Sequence, residues 1–165
     1  MLKESQIKIA GMDDGQKVVQ FLKRIAQWMK DNDINQWRYL LSGGDDEEIL
    51  HAVKKMETYI VLNEDEVIAT FTISENQSEW DHHIFGEDFA RDSLYLHRLA
   101  ISPELIGTGV GSELLDWIHQ NISTDKSFLK LDCVSDNRKL NKFYLDNGFE
   151  YLGETDHHSK YQKKL

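Results

Sequence analysis

Between Leu94 and Val134 a single pattern leaves few folds open. A run that reads as a buried strand, Leu94 to Ile101, is followed by Ile106-Gly107-Thr108-Gly109-Val110-Gly111-Ser112, with glycines at alternate positions. A helix from Val110 to Ile122 then carries Val110, Leu114, Trp117, Ile118 and Asn121 on one stripe, and Phe128 to Val134 reads as a second strand. Strand, helix, strand implies a parallel crossover. The glycines fall where a helix N-terminus presents unpaired N–H groups. Without β-carbons the amides can approach an anion closely, and the helix dipole adds favourable potential for negative charge. The chemistry of this turn suits a pyrophosphate.

The flanking sequence fits an α/β protein. Ile7 to Ala10 alternates as a strand, and Val18, Leu22, Ile25, Ala26 and Met29 recur at helical spacing up to Asp31-Asn32-Asp33. Ser42-Gly43-Gly44-Asp45 opens a second, acidic-capped helix through Ile49, Leu50 and Val53. Thr58 to Leu62 and Val67 to Ile73 form a hairpin around Asn63-Glu64-Asp65-Glu66, and Ser74 to Asp92, without clear period, reads as a long loop. A helix from about Asn137 to Asp146 stops at Asn147-Gly148, before strands Phe149 to Thr155 and Lys160 to Leu165. With 165 residues and no repeat or linker, residues 1–165 are expected to form one domain.

Charge and cysteine usage narrow the partners. Nineteen Lys and Arg against 29 Asp and Glu give a formal charge of -10, which repels nucleic-acid phosphates. The same field mildly attracts a cationic amine, although acidic chains commonly carry such charge for solubility. Cys133 is the only cysteine, which leaves no internal disulfide or C-x-x-C motif and fits a reducing cytoplasm. No run approaches the roughly 20 apolar residues of a membrane span, and the N-terminal residues lack an apolar signal core. The expectation is a cytoplasmic protein with no nucleic-acid or membrane partner.

Three phosphate turns compete for the glycines. A P-loop needs a lysine after its last glycine, where Ser112-Glu113 stands, and that reading fails. A dinucleotide turn from Gly107 meets Ser112 in place of its third glycine and has Pro103 to Ile106 between strand and turn, although Asp132 lies near the spacing of a ribose-binding acid. The third is a coenzyme A turn. Gly109 and Gly111 match its small positions, Leu99-Ala100-Ile101-Ser102-Pro103 matches the strand before it, and Ser112-Glu113-Leu114-Leu115 matches its helix start. Asn137 and Phe143-Tyr144-Leu145-Asp146-Asn147-Gly148-Phe149 supply a second motif at the right separation. On these residues the chain resembles the GNAT superfamily of N-acetyltransferases. Ile106 departs from the pattern, standing where the family has Gln or Arg.

The resemblance implies a mixed, mostly antiparallel sheet flanked by helices, whose two central parallel strands splay to admit acetyl-coenzyme A. It implies that Gly107, Thr108, Gly109, Val110, Gly111 and Ser112 hold the pyrophosphate, that Leu99, Ala100 and Ile101 offer backbone groups to the pantetheine arm, and that Asn137 contributes to the cofactor site. Tyr144 matches the family tyrosine that protonates the departing sulfur, which makes it a cofactor contact and the general acid. Trp28 and Ile34-Asn35-Gln36-Trp37 look like the region that shapes the acceptor pocket, with Trp37 the candidate substrate residue.

For a base, Tyr95 and His97 alternate with Leu96 and Arg98 and share one strand face with Leu99. An imidazole can take a proton from an amine, so His97 is the candidate base, with a structural role as its alternative, and Tyr95 a candidate substrate residue. Asp81-His82-His83 and Asp156-His157-His158 lack a third spaced ligand, and no metal is expected. The acceptor is expected to be a primary amine on a small molecule or peptide, whose identity the sequence leaves open, and a homodimer is compatible with it. A non-catalytic coenzyme A sensor and a dinucleotide-dependent oxidoreductase remain as alternatives.

Overall fold

The computed structural model describes residues 2–165. In chain order the elements are β1 (Gln6–Ile9), α1 (Gly15–Asp31), α2 (Arg38–Leu41), α3 (Asp46–Lys54), β2 (Thr58–Asn63), β3 (Glu66–Ser74) and α4 (Glu79–Phe85). They continue as β4 (Ser93–Ile101), α5 (Val110–Asn121), β5 (Phe128–Val134), α6 (Arg138–Asp146), β6 (Glu150–Thr155) and β7 (His158–Lys164). The sheet order is β1-β2-β3-β4-β5-β7-β6. Strand β4 pairs with β5 in parallel, whereas β1–β2, β2–β3, β5–β7 and β6–β7 pair antiparallel. The mixed, mostly antiparallel α/β sheet is therefore as expected. The chain divides into two compact units, one running through Thr72 and including Arg98–Leu114, the other holding Ile73–His97 and Leu115–Leu165.

In the first unit the apolar stripe of α1 makes the core. Val18, Val19, Phe21, Leu22, Ile25 and Ala26 are buried and cluster with Leu40, Ile49, Val53, Ile60 and Ala100. Fully burying such side chains stabilises the fold by about 1.5–3 kcal/mol each. The entry to α1 is fixed by Asp14, whose Oδ2 accepts the Gly11 N–H at 2.8 Å. Where the sequence predicts two helices after β1, the structure has three, because Tyr39-Leu40-Leu41 folds into the single turn of α2 to seat Leu40. The acids opening α3 act through the helix dipole, since Asp45 at the N-cap makes no side-chain capping bond. The β2–β3 hairpin turns on two residues, Glu64 and Asp65, with Glu64 at φ 55°.

In the second unit β5 alternates as a half-covered strand, with Leu129, Leu131 and Cys133 buried. It pairs with β7 over its whole length, from Phe128↔Lys164 to Val134↔His158. Its parallel register with β4 is far shorter, Ser93↔Phe128 to Tyr95↔Lys130, although β4 runs to Ile101 and β5 to Val134. The paired register of β4 with β5 thus ends at Tyr95.

The long loop expected from Ser74 to Asp92 contains α4, and this corrects the sequence reading. Ser78 Oγ accepts the Asp81 N–H at 3.1 Å and Asp81 Oδ2 accepts the Ser78 N–H at 3.0 Å, a reciprocal capping box. The helix is short and buries only Asp81 and Ile84, so it leaves almost no periodic apolar signal.

Candidate active site

The first unit carries the glycine turn. Ser102, buried at the exit of β4, accepts Arg24 Nη2 at 2.6 Å on its Oγ and donates its N–H to Ile68 O at 2.8 Å. A single 3-10 turn, Pro103–Leu105, follows, and Thr108 bonds back to Leu105 O through both its amide and its hydroxyl. Gly107 and Gly109 then adopt φ of 80° and 91°, the left-handed region that L side chains rarely enter. A β-carbon at either would meet no protein atom within 4 Å, so the glycines answer to backbone conformation and to open space beside them.

In α5, Glu113 N–H reaches Gly109 O at 3.1 Å, and the amides of Val110, Gly111 and Ser112 precede it. They belong to the first turn, whose N–H groups find no carbonyl one turn back. Val110 is buried, so only its main chain is available to a ligand. No charged side chain lies between Ile106 and Ser112, and Ile106 itself is 58 % exposed. An uncharged cradle of main-chain donors at a helix start fits a pyrophosphate by its donor set.

Upstream in the same unit, Leu99, Ala100 and Ile101 close β4. They follow Arg98, whose φ of 49° breaks the extended backbone inside the strand. The two-residue alternation counted from Tyr95 and His97 therefore does not carry through to Leu99, which corrects its placement on their face. Trp37 packs on the α1 core with φ 60° and starts α2.

The second unit holds Tyr95, His97, Asn137 and Tyr144. Asn137 caps α6, its Oδ1 accepting the Leu140 N–H at 3.1 Å. The other end of α6 explains the Asn-Gly-Phe signature. Gly148, at φ 84°, sends its N–H to Leu145 O, while the Phe149 N–H reaches back to Tyr144 O, both at 3.1 Å. This is a Schellman stop, completed by the Phe149 ring packing against Tyr144 with centroids 5.6 Å apart. Tyr144 is locked further by Phe143 at 5.3 Å and Tyr161 at 5.8 Å, and burial pushes its phenol far above the ordinary range, so it stays protonated. Tyr95 is fully buried, set edge-on to Phe85. Its phenol too is pushed up, first by burial and then by Asp88 and Asp81.

His97 has a partner that sequence reasoning missed. Its Nε2 lies 3.0 Å from Asp81 Oδ2 on α4, with the imidazole 16 % exposed and the carboxylate 1 %. The missing helix hid this pair, because a residue assigned to a solvated loop is not a candidate for a buried carboxylate. Nearby on β5, Asp132 accepts Trp80 Nε1 at 3.0 Å. Its carboxyl is raised above its usual range by burial, against the opposing pull of the Trp80 hydrogen bond, His158 and His97.

The buried phenols and thiol predict how stability depends on pH. Cys133 is pushed up to about 12 from 9.0 by burial and by Asp132, and Tyr59, Tyr95, Tyr144 and Tyr161 all lie above 10.0. Each folded pKa is raised, so the unfolded chain loses these protons first, and the stabilisation present below about pH 9 is lost as pH rises. A urea midpoint clearly lower at about pH 11 than at pH 7 checks this. In the native state Cys133 should resist thiol reagents and react only on unfolding.

Comparison with known proteins gives a consistent picture. Residues 54–151 match the family model described as an acetyltransferase (GNAT) domain. The chain is 34% identical over 142 residues to the uncharacterized N-acetyltransferase YesJ of Bacillus subtilis (strain 168), a match spanning 86% of this chain and 79% of that protein. Among solved structures it resembles a GNAT-family acetyltransferase from Listeria monocytogenes 4b F2365, with TM-score 0.83 and 27% identity over 98% of this chain and 95% of the other. It also shares the fold of the PaiA N-acetyltransferase from Thermoplasma acidophilum, solved in complex with coenzyme A, with TM-score 0.76 and 15% identity over 98% and 99% of the two chains.

Proposed function

Since the chain belongs to the GNAT acetyltransferase family, we propose that it moves the acetyl group of acetyl-coenzyme A onto a primary amine of a small molecule or peptide. Acetyl transfer is the family's chemistry, and the chain is an enzyme of that class. On that membership we read the glycine turn as a coenzyme A turn and not a dinucleotide turn. Residues 1–165 are read as one catalytic domain, and the cytoplasm as its compartment. A homodimer is compatible with this reading, which needs no second copy.

The observation that carries the reading is the uncharged glycine turn opening α5. In it the main chain of Gly107 to Ser112 holds the pyrophosphate, and Leu99, Ala100 and Ile101 offer backbone groups to the pantetheine arm. Asn137 contributes through the start of α6. Acetyl-coenzyme A supplies an acetyl group activated as a thioester. The nucleophile must be a neutral amine, and His97 takes its proton, directly or through water. Tyr144, kept protonated by burial, gives its proton to the departing sulfur. Trp37 and Tyr95 are assigned to the acceptor side.

The test is thiol release over a panel of amines, amino acids, polyamines and peptides, for which a protected Cys133 gives no background. Turnover with at least one primary amine, and none with its N-acetylated form, is expected. Tight acetyl-coenzyme A binding with no turnover on any acceptor would turn the reading into that of a coenzyme A sensor.

A further inference from the structure

The pair formed by His97 and Asp81 carries more than a hydrogen bond. Asp81 sits at the third position of α4, where its Oδ2 accepts the Ser78 N–H and lies at hydrogen-bonding distance from His97 Nε2, both at 3.0 Å. Asp81 is 0% exposed, and its other oxygen, Oδ1, is buried with no hydrogen-bond partner among the described residues. An unpaired buried carboxylate oxygen is costly. The capping box does not demand that cost, because a neutral glutamine serves at the same position of such boxes. What a neutral side chain cannot supply is negative charge beside the imidazole.

We propose that Asp81 is the positioning residue of the acetyl transfer: it holds His97 in the tautomer protonated on Nε2, so that Nδ1 is the proton-accepting atom. This rests on the reading of His97 as the base. An ionised carboxylate only accepts hydrogen bonds, so the contact at Oδ2 requires a proton on Nε2. The neutral ring then has its lone pair on Nδ1. When the amine gives up its proton, the new N–H forms on Nδ1 while the Nε2 proton stays in place against Asp81. The ring becomes an imidazolium, the carboxylate beside it stabilises that charge without taking the proton, and the ring later releases its Nδ1 proton to solvent. The main-chain N–H of Ser78 holds Asp81 Oδ2 in place, whereas the Ser78 hydroxyl reaches only the Asp81 N–H and is not needed for the contact with the ring.

Nitrogen NMR of protein labelled with 15N-histidine, with His97→Gln to assign the signal, reads the tautomer directly. Protonated Nε2 and unprotonated Nδ1 are expected for neutral His97 in the wild type, and Asp81→Ala should spread the proton over both nitrogens. With the best amine from the panel, Asp81→Ala should lower kcat by roughly a hundredfold and leave the KM for acetyl-coenzyme A within about twofold. Asp81→Asn keeps an acceptor oxygen and the cap but loses the charge. It should keep the tautomer and lose roughly tenfold in kcat, which keeps the proposal testable if the alanine variant fails to fold. Ser78→Ala weakens the cap alone and should leave kcat near wild type. The proposal is overturned by a wild-type proton on Nδ1, by wild-type kcat in folded Asp81→Ala, or by an equal kcat loss in Ser78→Ala. A wild-type protein silent on every amine overturns the acetyl-transfer reading instead, and the nitrogen spectrum still decides whether Asp81 sets the tautomer.

Discussion

Gly109→Val is expected to weaken acetyl-coenzyme A binding by roughly a hundredfold or more while the protein stays folded, the loss corresponding to one or two charge-assisted hydrogen bonds. Gly109 has φ of 91°, and its surroundings leave a β-carbon untouched by protein within 4 Å. The cost to the fold is therefore backbone strain, on the order of 1–3 kcal/mol, against a typical total stability of about 5–15 kcal/mol. The cost to binding is separate, because in the proposed site a phosphate oxygen approaches the amides through the open space beside Gly109. Gly153→Ala separates the two effects, as Gly153 has φ of 115° and an equally open side but lies in β6. Calorimetric titration and thermal melting should find both variants destabilised and only Gly109→Val weakened in binding. A folded Gly109→Val with wild-type affinity would remove the cofactor from this turn, and the site assignment with it.

Tyr144→Phe should leave the melting temperature and the cofactor affinity nearly unchanged and lower kcat by roughly a hundredfold. The ring is held by Phe143, Phe149 and Tyr161, contacts that a phenylalanine keeps. Its main chain is held by the Schellman stop, which involves no tyrosine hydroxyl. The phenol is so far raised that its ionisation should set no alkaline limb in the kcat profile at working pH. A thiolate leaves tolerably well unaided, so the measurement belongs with the best amine of the panel. Retained kcat together with lost affinity would make Tyr144 a binding residue and leave water as the proton source.

How much of this was legible in the sequence differs from element to element. The glycine turn and the crossover around it could be read because alternate glycines before an apolar stripe have few other uses. The Asn-Gly-Phe stop of α6 was legible for a local reason, since a left-handed glycine after a helix is a chain-level signal. Helix α4 escaped because seven residues with two buried positions carry no period, although Ser78 and Asp81 stand at capping-box spacing. With α4 went the partner of His97, which lies 16 residues earlier in the chain and meets it only through tertiary structure. The facing of Leu99 was lost for a different reason. Nothing in the letter Arg98 announces a left-handed φ, and one such residue ends the alternation on which the inference rested. Asn137 was placed by resemblance, whereas its visible work is to cap α6.

The half-exposed Ile106 bears on how the turn responds to ionic strength. With no full charge from Ile106 to Ser112, an anion held there is held by amide dipoles at contact distance, which added salt screens little. The long-range field of a chain with formal charge -10 opposes the approach of any polyanion, and that repulsion is what salt does screen, over a Debye length of about 8 Å at physiological strength. For an arginine clamp, rising ionic strength removes attraction. With the cofactor on this turn as proposed, it removes repulsion first, and the salt response of capture is expected to carry the opposite sign.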